Sequence, residues 1–328
     1  MSVKEDILTL LEQNRGKYLS GEEIASKISV TRSAVWKAIK SLQAEGYAID
    51  GVTNKGYYLP PDTDMVSASG IKKYLDDRAS HLRIEVYKTI GSTNDEAKKL
   101  ALSGEPDGKV IVAEEQTAGR GRKGRSFFSP GGTGVYISIL LRPKIPVSVS
   151  SLLTTAAAVA VAGAVEQLSG RETQIKWVND IWMDGKKICG ILTEASMSLE
   201  SGGLDFAVVG IGVNITMPES GFPDELSSIA SSVFGASGHP NDIRNRLAAE
   251  ILNCFMPYCD NLEERSFLFE YRKRLFILGR EITVVGSGEN AYRRAHALDI
   301  DDDCHLLVRY EDGTTASLSS GEISILPY

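Results

Sequence analysis

An α+β chain of three domains is what this sequence predicts, and three observations predict it. Short helical patterns fill the first 60 residues and close on a strand-turn-strand. From residue 84 to about 215, strand patterns alternate with two helices, and after residue 280 only short strands remain. The divisions fall at 1–62, a winged helix-turn-helix; 63–275, a mixed-sheet α/β domain; and 276–328, a small β-barrel.

Val3, Ile7, Leu8, Leu10 and Leu11 stand at helical spacing and predict a helix over 3–13. Ser20 caps a second helix over 21–27, with Glu23 completing a capping box, and residues 28–31 form the break. A third helix over 32–44 buries Val35, Ile39 and Leu42 and leaves Arg32, Ser33, Lys37 and Lys40 on its other faces. Residues 47–59 read as two strands around Thr53, Asn54 and Lys55, with Pro60 and Pro61 as a linker. Such a unit lays one helix in the major groove while its hairpin touches phosphates, so Thr31, Arg32, Ser33, Trp36, Lys37, Lys40 and Lys55 are candidate DNA contacts. Residues 1–60 hold eight Lys or Arg against seven Asp or Glu, a net of +1, so a small helical interaction domain stays open beside it.

Further on, strands are expected over 84–88, 109–114, 134–141, 173–177, 187–196 and 206–215, with helices over 94–102, 243–261 and 267–275. The alanine-rich run Ser151 to Val165 reads as a buried helix, too short and too poor in large aliphatics to span a bilayer. The barrel strands are placed at 282–285, 292–300, 306–310 and 314–318, broken by Gly286 to Gly288 and Asp301 to Asp303.

Composition narrows the function. With 42% hydrophobic and 24% charged residues the chain is an ordinary globular protein, and its charged, helix-patterned opening is not a secretory signal, so a cytoplasmic place is expected. Cys189, Cys254, Cys259 and Cys304 lack the paired spacings of thiolate metal sites and read as core filler. His81, His239, His296 and His305 are equally dispersed, which argues against a histidine metal site and a Ser/His/Asp hydrolase. A net charge of −7 confines any DNA binding to a local surface.

The most informative segment is Gln116 to Arg125, where Gly119, Gly121 and Gly124 alternate with Arg120, Arg122, Lys123 and Arg125. Four cations in six residues repel one another and glycines loosen the backbone, so the loop is expected to order only when an anion arrives. A polyphosphate is the natural anion; a solvated basic turn or a nucleic-acid patch are the plainer readings. No P-loop or Rossmann fingerprint is present, so a different nucleotide fold is required.

These runs, with KWVND at 176–180, GKKICGIL at 185–192, VGIGVN at 209–214 and GSTN at 91–94, resemble the family of bifunctional biotin protein ligases and biotin operon repressors. Ser33, Ala34, Val35, Trp36 and Lys37 match the family's DNA-binding helix, so the likeness spans nearly the whole chain. The resemblance implies a class II synthetase-like ligase domain, an SH3-like C-terminal barrel, and ATP with Mg2+ as cofactors. It also implies a biotin carboxyl carrier protein as acceptor, operator DNA as partner, and a homodimer formed on ligand binding.

By that resemblance Ser92, Thr93, Asn94 and Gln116 surround biotin's rings, Gly119, Arg120, Gly121 and Arg122 close over them, and Lys187 meets the carboxylate. Gly190, Gly210 and Gly212 let backbone approach the ligand; Arg122, Arg125, Phe127, Lys176, Asn179, Lys187 and Asn214 face the nucleotide. The residue types suit the task. A cyclic urea presents one acceptor and two donors that short hydroxyls and amides can orient. Attack of a carboxylate on an anionic phosphate needs cations, here Lys187, Arg120 and Arg122. Asp180 either orients the incoming amine or adenylate, or caps a turn. Lys176 also reads as a solvated strand-end cation, and Trp177 and Trp182 read as core aromatics. Val178 replaces the family's usual proline and adds an N–H. Two other readings remain, a ligand-responsive regulator without turnover and a lipoate ligase on the same fold. The intact basic loop speaks against the first; that loop and the N-terminal unit speak against the second.

Overall fold

In the computed structural model, residues 2–146, 149–197, 203–236, 238–285, 292–319 and 321–325 are described. They form two compact units, Met1–Ser80 with Gly238–Glu250, and His81–Ser237 with Ile251–Tyr328.

In the first unit α1, Val3–Gln13, opens with a full capping box: Ser2 Oγ accepts from Glu5 N, and the Glu5 carboxylate accepts from Ser2 N at 2.7 Å. A two-residue strand β1, Tyr18–Leu19, precedes α2, Gly21–Lys27. The box expected at Ser20 is only half formed. Ser20 Oγ accepts from Glu23 N at 3.0 Å, but the Glu23 carboxylate turns forward to Lys27 at 2.9 Å, an i,i+4 pair that competes with the backward reach. Helix α3, Arg32–Ala44, sends Val35, Ile39 and Leu42 into one core with Ile7, Leu8, Leu11 and Ile24. Each such side chain contributes about 1.5–3 kcal/mol on burial.

The wing is β2, Asp50–Val52, and β3, Gly56–Tyr58, and β3 also pairs with β1. Gly56 lies at φ +102°, where a Cβ would meet the Leu19 carbonyl oxygen at 2.1 Å, so only glycine allows that pairing. After the short α4, Ala68–Lys72, a buried polar group completes the unit. Arg15 bridges Glu12 (2.6 Å) and Asp242 (2.9 Å), and Tyr74 donates to Asp242 at 2.9 Å. Burial pushes the Glu12 carboxyl up, and burial with the Asp242 contact pushes the Tyr74 phenol up to about 12.

The second unit is built on a seven-stranded sheet. Its elements are β4 (Arg83–Ile90), α5 (Thr93–Leu102), β5 (Lys109–Gln116), β6 (Gly134–Leu141), α6 (Ser151–Ser169), β7 (Gln174–Lys176), β8 (Asp180–Met183), β9 (Lys186–Met197) and β10 (Leu204–Asn214). The strand order is β4-β5-β6-β10-β9-β8-β7, parallel between β4 and β5 and antiparallel elsewhere. Helix α6 is longer than the sequence reading. At 19 residues it is long and apolar enough to cross a membrane by length and composition, yet two thirds of it is buried, the mark of a core helix. Helices α7 (Asp224–Ser227), α8 (Ile243–Asp260) and α9 (Leu268–Arg274) follow.

Strands β11 (Glu281–Val285), β12 (Tyr292–Ile300), β13 (Leu306–Tyr310), β14 (Thr315–Leu318) and β15 (Glu322–Ile325) make an antiparallel sheet in the order β14-β13-β12-β11-β15. Among the described residues its two edge strands do not pair, so the antiparallel sheet is seen and its closure into the expected barrel is not. The break expected at Gly286 to Gly288 lies outside the described residues.

Candidate active site

Three glycines on two neighbouring strands make the floor of the site. In β10, Gly210 and Gly212 are two residues apart and therefore share a face; Gly212 pairs with Gly190 on β9 and with Tyr136 on β6, and Gly190 pairs with Asp180 on β8. A register shift between Ile181 and Trp182 then sets Trp182 opposite Lys187. Such a bulge re-aims a side chain, and here it brings the Lys187 ammonium to Asp180 Oδ1 at 2.6 Å.

The cavity over this floor measures about 550 Å3, within the range of small-molecule sites. Ser92, Thr93, Asn94, Gln116, Arg120, Gly121, Arg122, Arg125, Phe127, Lys176, Asn179, Asp180, Lys187, Gly190, Gly210, Gly212 and Asn214 all line it, so nearly every candidate of the sequence reading converges on one place. Gly119 does not line it. A Cβ there would meet the Phe127 carbonyl oxygen at 2.4 Å, so Gly119 serves the fold of the loop. Trp177 and Trp182 both line the cavity: the Lys176 ammonium lies 5.5 Å from the Trp182 ring centre, while Trp177 is otherwise buried and donates to the Cys304 carbonyl at 2.9 Å. The peptide between Trp177 and Val178 is cis.

Three glycines expected to admit a ligand first admit this chain's own side chains. A Cβ on Gly210 would lie 2.1 Å from Asn94 Oδ1, and one on Gly212 would lie 2.5 Å from the Phe127 ring, which also covers Gly190. Asn94 is held on every side: Ser138 Oγ donates to its Oδ1 at 2.6 Å, and its Nδ2 donates to Leu192 O and Glu194 Oε2. Thr93 N and Oγ1 both donate to Gln116 Oε1, and Gln116 Nε2 donates to Ser129. The polar corner is thus already oriented.

Within the arginine loop Gly121 N donates to Arg125 O (2.7 Å), Phe127 N to Gly119 O (2.8 Å), and Arg120 bridges to Ser126. Its cations are separated by partners that come from elsewhere in the chain. Arg120 meets Asp95 at 2.5 Å and Glu194 at 3.2 Å, and Arg122 donates to Asn179 Oδ1 at 3.1 Å. Asn179 in turn donates to Ile191 O at 2.7 Å. Hydrogen bonding to Asp95 raises the Arg120 guanidinium further above its ordinary value. Asp180 is therefore a partner of Lys187 rather than a turn cap. Sequence reading missed Asp95, Ser138 and Glu194, which belong to no motif it used.

In the first unit the candidate DNA contacts gather on α3 and the wing. Arg32, Ser33, Trp36, Lys37 and Lys40 are exposed, Trp36 at 54%. Thr31 Oγ1 caps the helix by accepting from Ala34 N at 3.2 Å, and Lys55 sits 5.5 Å from the Tyr18 ring centre. The four cysteines form no disulfide, and among the described residues no three His, Cys, Asp or Glu come together as a metal site would require.

Comparison with known proteins agrees with this division. Residues 86–214 match the biotin/lipoate A/B protein ligase family, residues 3–58 an HTH domain and residues 277–326 the biotin protein ligase C terminal domain. The bifunctional ligase/repressor BirA of Bacillus subtilis is 36% identical over 95% of both chains; that of Escherichia coli is 27% identical over 94% of both. The structure of the Aquifex aeolicus biotin protein ligase in complex with biotin and ATP superposes with a TM-score of 0.62 at 25% identity, covering 75% of this chain and 99% of that one. With one cavity of ligase geometry and a helix-turn-helix ahead of it, the chain belongs to the biotin protein ligase family, as one of its bifunctional ligase/repressors.

Proposed function

We propose that the cavity joins biotin to ATP, giving biotinyl-5'-AMP and pyrophosphate, and then passes the biotinyl group to a lysine of a biotin carboxyl carrier protein. The observation that carries this reading is the convergence of Lys187, Arg120 and Arg122 on a cavity otherwise floored by glycine and oriented amides. In the first step a biotin carboxylate oxygen attacks the α-phosphorus, and the bond to the bridging oxygen breaks as pyrophosphate leaves. Both reactants are anions. Lys187 retains two further N–H donors after its bond to Asp180, enough to touch the carboxylate and a phosphate oxygen together. Asp180 fixes where that ammonium sits.

Ser92, Thr93, Asn94 and Gln116 take the ureido ring, with Arg120, Gly121 and Arg122 closing over it, while Arg125, Lys176, Asn179 and Asn214 face the nucleotide. The Phe127 ring lies against Gly212 and Gly190, and there it keeps water from the mixed anhydride. Among the described residues Asp180 is the only carboxylate lining the cavity and is engaged by Lys187, so the site itself offers Mg2+ no cluster of oxygens. Magnesium belongs with the phosphates of the nucleotide substrate, where it neutralises their charge. In the second step the neutral acceptor amine attacks the carbonyl carbon, AMP leaves and the amine loses a proton.

The N-terminal unit reads operator DNA through α3 and the wing, and binding of the adenylate favours a homodimer that sets two such units on a two-fold site. Functional domains over 1–62, 63–275 and 276–328 and a cytoplasmic setting fit this role. Incubation with ATP, magnesium, biotin and a carrier domain should add one biotinyl group to the carrier by mass; an unmodified carrier, or one that accepts lipoate instead, overturns the reading.

A further inference from the structure

Lys176 and Asp180 line the cavity from the two shortest strands of the central sheet. They stand at the two ends of the β7–β8 turn, opposite one another in the ladder, and β7 is an edge strand. Strands of three and four residues hold a hairpin poorly by themselves, so residues 177–179 need bonds from outside it. Two such bonds are present. Tyr271 on α9 donates its hydroxyl proton to Val178 O at 3.0 Å, and Trp177 Nε1 donates to Cys304 O at 2.9 Å. The two pins are themselves joined, because Arg272 donates to Asp299 Oδ1 and to Ile300 O, both at 2.9 Å. Leu275, four residues after Tyr271, bridges to Ile175 on β7.

We propose that Tyr271 is a positioning residue for adenylate formation: its hydroxyl fixes the 177–179 turn, and with it Asp180, which sets the place of the Lys187 ammonium. Tyr271 is fully buried and is not among the residues that line the cavity, so any effect on chemistry passes through others. A phenylalanine would fill the same space. A buried hydroxyl costs free energy unless it is bonded, and this one is spent on a backbone carbonyl of the turn. Burial pushes the Tyr271 phenol well up, so it stays a donor. From Val178 the path to the reacting groups is short. Asn179 is bonded to Ile191 on β9 in both directions, its Nδ2 donating to Ile191 O at 2.7 Å and its carbonyl accepting from Ile191 N at 3.0 Å. Asp180 Oδ1 then accepts from Lys187 Nζ at 2.6 Å. Because Lys187 must meet two reactants at once, a shift of about 1 Å is enough to cost about 10^2-fold in rate.

This inference rests on the ligase reading for its effect on rate, so one arm of its test needs no turnover. Hydrogen exchange of the 176–181 backbone, measured by mass spectrometry on the ligand-free chain, should rise about tenfold in Tyr271→Phe while β6 and β10 keep their protection. The second arm follows biotin-dependent pyrophosphate release at saturating biotin and ATP. Tyr271→Phe should lower kcat about tenfold and leave KM for biotin within about threefold. In an Asp180→Ala background the same change should lower kcat by less than about threefold, since the hydroxyl acts through Asp180. Unchanged exchange at the turn, an unchanged kcat, or the full tenfold loss in the Asp180→Ala background overturns the proposal. Loss of protection across β6 and β10 would mean that the hydroxyl holds the fold rather than the turn, and overturns it too. If the intact chain releases no pyrophosphate with biotin, it is the ligase reading that fails, and the exchange arm alone decides whether Tyr271 fixes the turn.

Discussion

The two cationic regions of this chain are built on opposite principles. On α3, Arg32 and Lys37 project from an exposed face and make no ion pair among the described residues. In the arginine loop, Arg120 and Arg122 are already bonded, to Asp95 and Glu194 and to Asn179. The difference follows from the ligand. A nucleic acid is a long, regular polyanion whose binding is dominated by counterion release, so solvated cations on a rigid helix suffice. A single carboxylate and one α-phosphate must meet at bonding distance, which demands cations fixed in advance.

That contrast can be broken from either side. The largest effect is expected for Lys187→Ala: carrier labelling should fall by about 10^2–10^3-fold, as for removal of one transition-state charge donor, while binding to mixed-sequence DNA keeps its salt slope. Next comes Gly210→Ala, whose methyl would strike the Asn94 amide; KM for biotin should rise about tenfold with a smaller change in kcat, measured by steady-state kinetics. On the other surface, Arg32→Ala and Lys37→Ala should each weaken DNA binding at all sequences and reduce the salt slope by about 1 for every phosphate left without its cation. Labelling of the carrier should be unaffected.

The smallest effect lies away from both regions. Glu166 accepts from Arg274 at 2.8 Å and from Thr173, and although burial pushes its carboxyl up, those bonds carry it below the ordinary 4.5. A carboxyl lowered on folding stabilises fully above its unfolded value and loses that stability as pH falls through its folded one. Glu166→Gln should therefore cost about 1–2 kcal/mol near neutral pH, and its unfolding curve should converge with that of the intact chain in acid.

What was legible in the sequence depended on range. Periodicity located α1, α2, α3, the wing and most of the central strands, because each buries its own stripe. It gave no sign of β1 or β8, at two and four residues too short to show a period, nor of the bulge that turns Lys187 toward Asp180. Motifs gathered the cavity's residues, since the glycine floor and the basic loop are local in sequence. The loop's counter-charges, Asp95 and Glu194, were not legible because they arrive from α5 and β9, and the box at Ser20 was misread because Lys27 outcompeted the backbone. The C-terminal sheet shows the same limit: strand patterns place strands and say nothing of whether the edge strands pair, which among the described residues they do not.

The central claim is that fixed cations let two anions become a protected mixed anhydride, and pyrophosphate release in a single turnover, with ATP and magnesium but no carrier, tests it most directly. The account predicts one equivalent of pyrophosphate per chain only when biotin is present, with the adenylate remaining bound. Release that ignores biotin, or biotin-dependent release that leaves no adenylate on the protein, would contradict it.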